Sequence, residues 1–64
     1  MANKFLEFVN KHGKKSAVQM RLIETVSEFT DIQDVSIRSR IILKDTSIYL
    51  SQSSIDVLIN RLNS

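Results

Sequence analysis

Residues 15–29 read KSAVQMRLIETVSEF, and the period assigned to this stretch decides the fold. Val18, Leu22, Val26 and Phe29 fall at i, i+4, i+8 and i+11, a single stripe on a helix turning 100° per residue. Ser16 and Gln19 have the form of a capping box, in which the Ser16 hydroxyl accepts a backbone N–H and Gln19 reaches back. The spacing therefore predicts a helix from Ser16 to about Thr30, ended by the turn residues DIQD at 31–34. Met20 and Ile23 make a weaker second stripe, read either as a broad core-facing surface or as a surface for a second subunit. The same residues admit another period, because Val18, Met20 and Leu22 alternate and would also suit a short strand within residues 15–24.

Upstream, Ala2, Phe5, Phe8 and Val9 share one helical arc that Leu6 widens, which predicts a helix over residues 2–12. Gly13, the only glycine, would end it in a left-handed conformation.

Downstream the period changes to two. Val35, Ile37, Ile41 and Leu43 share one parity, with Ser39 the exception, while Ser36, Arg38, Arg40 and Lys44 share the other. This predicts a half-buried strand, a short loop at 44–47 and a second strand at 48–50, with Leu43 opposite Ile48 and Ile41 opposite Leu50. The loop lacks an Asn-Gly or Asp-Gly pair and Thr46 resists positive φ, so a four-residue type I loop is expected. Ser51 or Ser53 then caps a final helix that buries Ile55, Leu58, Ile59 and Leu62 and leaves Val57 opposite. The expectation is one α+β domain over residues 1–64, in the order α-α-β-β-α, with an antiparallel hairpin packed against helices.

Composition bounds the rest. The 64 residues are 42% hydrophobic and 25% charged, with nine Lys and Arg against seven Asp and Glu, which is ordinary globular composition. The longest apolar runs are of three residues, too short for a spanning helix, and Glu7 interrupts any signal-peptide core, so a cytoplasmic location is the default expectation. Without Cys there is no disulfide, thiolate metal site or thiol nucleophile. Domains this small are marginal alone, which makes a homo-oligomer the working expectation.

The residues argue against catalysis. His12 is the only histidine and sits beside Gly13 among lysines, where a solvated imidazole is the simple reading. Glu24, Glu28, Asp31 and Asp34 read as a solvated acidic face rather than metal ligands, and one glycine cannot make a phosphate loop. No enzyme activity, cofactor, metal or small-molecule substrate is therefore expected.

Charge is ordered along the chain as a basic, an acidic and again a basic block. With Tyr49 as the cross-strand neighbour of Ile42, one strand face would carry Arg38, Arg40, Lys44 and an aromatic ring, a combination that suits groove entry or base stacking. The first expectation is thus a binding protein engaging an anionic partner, DNA foremost, through Lys11, Lys14, Lys15, Arg38, Arg40, Lys44 and Tyr49. A competing reading has the arginines pair with the acidic segment of residues 24–34 between subunits. The alternative function is a protein-interaction module, an adaptor or inhibitor of a larger protein, or a structural subunit, anchored by Met20, Ile23, Ile42, Tyr49 and Val57.

Overall fold

The computed structural model describes residues 4–64. Ala2, at the start of the first expected helix, lies outside the described residues. Both expected N-terminal helices are strands, so among the described residues the order α-α-β-β-α is replaced by five strands followed by one helix. β1 (Phe5–Val9) pairs antiparallel with β2 (Lys15–Gln19), setting Leu6 opposite Val18 and Phe8 opposite Ser16. A single 3-10 turn at Met20–Leu22 redirects the chain into β3 (Ile23–Glu28). β3, β4 (Ser39–Leu43) and β5 (Ile48–Ser51) then form a second antiparallel sheet in that order, and α1 (Ile55–Leu62) ends the fold.

The apparent helical periods have identifiable causes. In β1, Leu6 and Phe8 face the core and Glu7 faces out, but Phe5 and Val9 are also exposed, so apolar residues on both faces imitate a helical arc. In the deciding stretch the strand phase is shifted twice, by the 3-10 turn and by a bulge between Ile23 and Thr25. Val18, Met20, Ile23 and Val26 all reach the core despite their uneven spacing, whereas Leu22, which a helix would bury, is 43% exposed. With those interruptions absorbed, the β-branched residues of KSAVQMRLIETVSEF occupy the extended backbone they favour.

The core is one cluster built from Leu6, Phe8, Val18, Ile41, Leu43 and Leu58. Each such side chain contributes about 1.5–3 kcal/mol by leaving water. Leu58 brings α1 into it, and the helix lies against β1 and β3. Ser54, rather than Ser51 or Ser53, is the N-cap and accepts the Val57 N–H. Arg61 Nη1 donates to the Glu7 carbonyl at 2.7 Å, while Ile59, expected to be buried, is exposed. Among the described residues no helix is long and apolar enough to cross a membrane.

Ser51 and Ser53 instead join the sheets. An isolated bridge links Asn10 to Ser51, Gln52 N–H donates to the Val9 carbonyl at 2.7 Å, and Val9 N–H donates to Ser53 Oγ at 3.1 Å. Ser39, polar at an inward position, is fully buried because its hydroxyl donates to the Ser53 carbonyl at 2.6 Å.

The β4–β5 register differs by one residue from expectation. Ile42 faces Ile48, Ile41 faces Tyr49 and Arg40 faces Leu50. A three-residue loop sets this register: Thr46 N–H closes a turn on the Leu43 carbonyl and Leu43 N–H donates to Ser47. Thr46 takes the positive φ expected to be avoided there, at 74°. The strand also starts later than expected, at Ser39, and leaves Val35 in solvent.

Candidate functional site

Just past β1, Asn10 is bridged to Ser51 of β5, and the β1–β2 hairpin and β5 line a cleft of 680 Å³. Its floor is the pair Phe8 and Tyr49, stacked with ring centroids 6.1 Å apart and planes at 28°. Phe8 is buried in the core, but Tyr49 is 45% exposed because the sheet beside it is not closed. Ser16 and Ala17 of β2 line one wall, and Ile48 and Leu50 of β5 line the other. Asn10, Lys11 and His12 line the remaining part, at the hairpin loop.

Asn10 fixes that loop. Its Oδ1 accepts the N–H groups of His12 at 2.9 Å and Lys14 at 3.1 Å, and its Nδ2 donates to Ser16 Oγ at 2.7 Å. Gln52 Nε2 donates to the Lys11 carbonyl at 3.3 Å, tying the loop to the chain beyond β5. The cleft therefore has a built wall on the hairpin side.

The β5 wall offers backbone groups. The bond from Leu43 to Ser47 marks a closely bonded pair, and antiparallel ladders alternate such pairs with wide ones. Ile41 and Tyr49 are then the next bonded pair, whereas Ile48 and Leu50, both lining the cleft, turn their N–H and C=O groups away from β4. Edge groups of this kind template the pairing of another chain.

The expected site residues divide into separate groups. Lys11, Lys14 and Lys15 are exposed around the β1–β2 loop, with Lys11 in the cleft lining. Arg40 lies on the outer face of the second sheet, where its Nε donates to Ser27 Oγ at 3.1 Å and its guanidinium stands 5.4 Å over the Phe29 ring. Arg38 is exposed just before β4, and Lys44 is exposed in the β4–β5 loop. Tyr49 does not join Arg40: the register sets it opposite inward-facing Ile41, and it belongs to the cleft. Of the expected apolar anchors, Met20 and Ile23 pack against the core, Ile42 is half-buried between Thr25 and Ile48, and Val57 is exposed on α1.

Phe8, Asn10, Ile48 and Leu50 were not singled out by sequence reasoning as site residues. The available signal was Asn10 three residues before Gly13, an asparagine able to bond the turn ahead of a residue free to take positive φ. Compared with known proteins, the chain matches no family model, and neither a curated protein nor a solved structure matches it significantly.

Proposed function

We propose that the chain is a small non-catalytic protein-interaction module whose cleft captures an acidic, apolar segment of a protein. Apolar side chains of the segment rest on the Phe8–Tyr49 pair, its carboxylates lie near Lys11, Lys14 and Lys15, and its backbone bonds to Ile48 and Leu50. The observation that carries this reading is the coincidence, in one cleft, of a half-exposed aromatic floor with outward-turned β5 backbone groups. That combination suits strand-edge recognition, where the main chain supplies affinity and side-chain pockets supply selectivity. Binding rather than turnover fits the polar groups present, since the Ser16 hydroxyl is engaged by Asn10 and not by a base.

A second reading is favoured by Tyr49 itself. An exposed ring beside lysines also suits a base of single-stranded nucleic acid, with phosphates on the lysine loop. Fluorescence anisotropy separates the two, using a labelled peptide alternating Asp with Phe and Val and a labelled oligothymidylate. The proposal expects peptide binding that persists at high salt and falls about tenfold in Tyr49→Ala, because an interface anchor is lost. Oligothymidylate binding that collapses with salt, with no binding of the peptide, would sink it in favour of the second reading.

A further inference from the structure

Residues 29–38 connect β3 to β4 and hold two aliphatic side chains in water: Ile32 is 96% and Val35 86% exposed, more than any other large hydrophobic residue described. The segment is ordered by its own bonds. Gln33 N–H donates to Asp31 Oδ1 at 2.9 Å, Ser36 N–H to Asp34 Oδ1 at 3.0 Å and Ile37 N–H to the Asp34 carbonyl at 3.1 Å. Phe29 N–H donates to the Arg38 carbonyl at 3.2 Å and closes the base. These bonds lower the entropy that any partner must overcome to fix the loop, and they hold Ile32 and Val35 away from the core.

Charge points to what this loop meets. Residues 22–37 hold four acids, Asp31 and Asp34 among them, and no base. Residues 8–17, which supply Phe8 and the hairpin wall of the cleft, hold Lys11, Lys14 and Lys15 and no acid. An acidic loop with two exposed aliphatics and a basic-rimmed cleft with an apolar floor are complementary in both respects. Within one molecule the loop leaves both aliphatics in solvent, away from the cleft.

We propose that the occupant of the cleft is the residue 31–35 loop of a second copy of this chain, with Ile32 and Val35 on the Phe8–Tyr49 floor and Asp31 and Asp34 facing the lysine loop. This rests on the cleft reading above and adds the identity of the partner. Each copy offers one loop and one cleft, so the contacts either close as a reciprocal pair or run on head to tail.

Sedimentation equilibrium over a wide concentration range tests the proposal on the full chain. The expected result is a mass that rises with concentration above the 7.3 kDa of one copy. The double change Ile32→Ser with Val35→Ser alters only exposed side chains, so the circular dichroism spectrum should persist while the mass falls to that of one copy at every concentration. Asp31→Lys with Asp34→Lys, and Lys14→Glu with Lys15→Glu, should each abolish self-association alone and restore association when the two proteins are mixed. A wild-type chain that stays at one copy throughout overturns the proposal, as does an oligomer that the Ile32 and Val35 changes leave intact. In a single-copy wild type, binding of the Asp, Phe and Val peptide to the cleft leaves the cleft reading standing, and failure to bind removes both.

Discussion

Thr46 and Gly13 hold equivalent places in two hairpin loops of the same construction. In each, the residue at positive φ donates to the carbonyl three residues back, and the residues flanking the loop share one further backbone bond. Gly13 adopts φ 78° without steric cost, whereas the left-handed conformation costs an L-residue such as Thr46 roughly 1–2 kcal/mol, part of which glycine's larger unfolded-state entropy cancels. Thr46→Gly should therefore raise unfolding stability in urea by up to about 1 kcal/mol, and Gly13→Ala should lower it by about 1 kcal/mol. The nearest atom to an added Cβ at Gly13 is Gln52 Oε1 at 4.0 Å, so the cost there is conformational. The left-handed backbone at Gly13 was legible in sequence but its element was not, because the same φ ends a helix or closes a hairpin. Thr46 was read the wrong way because the three-residue loop that goes with this register needs a positive φ at that position, whatever the residue's own preference. The β4–β5 loop also carries a pH response. The Ser47 backbone N–H donates to Asp45 and holds its carboxyl below the ordinary 3.8, as Ser36 does for Asp34. A depressed folded value means stability that is present above pH 3.8 and lost as pH falls through the lower folded value. Thermal melts at neutral pH and below 3.8 should show a smaller acid-induced drop for Asp45→Asn than for wild type. Equal drops would contradict this.

At the scale of elements, α1 is where the sequence was most readable, since one unbroken period runs from Ile55 to Leu62. Leu58 is its fully buried residue, and Leu58→Ala should cost about 2–5 kcal/mol through lost burial and the cavity left behind. Val57→Ala, on the exposed side, should stay within about 0.5 kcal/mol in the same urea titration. A similar cost at both positions would mean that the helix packs by a different face. The β4–β5 hairpin was legible for a related reason: Ile37, Ser39, Ile41 and Leu43 keep strict alternation, and all four are buried. The N-terminal half was not, because Phe5 and Val9 are apolar on the outer face and the 3-10 turn and bulge break the phase of β2 and β3. Local pattern cannot tell a twice-shifted strand from a helix. The tie between Val9 and Ser53 that positions β1 is long-range and leaves no mark on either neighbourhood.

For the molecule as a whole, the parts of the candidate site were visible in sequence but their grouping was not. Lys11, Lys14, Lys15 and Tyr49 were singled out, yet Tyr49 was grouped with Arg38 and Arg40, and a single step of register moved it to the opposite side of the sheet. Phe8, its actual stacking partner, was assigned to a helix far from it in the chain. The cleft is lined by the β1–β2 hairpin of one sheet and by β5 of the other, a property that belongs to topology rather than to any segment. Entry of an acidic and apolar protein segment between the β1–β2 loop and β5 is best tested by amide chemical-shift mapping of the labelled protein titrated with the Asp, Phe and Val peptide. Saturable shifts concentrated at Lys11, His12, Ile48 and Leu50 are expected. Shifts confined to the strand face of Arg38 and Arg40, or none at all, would contradict it.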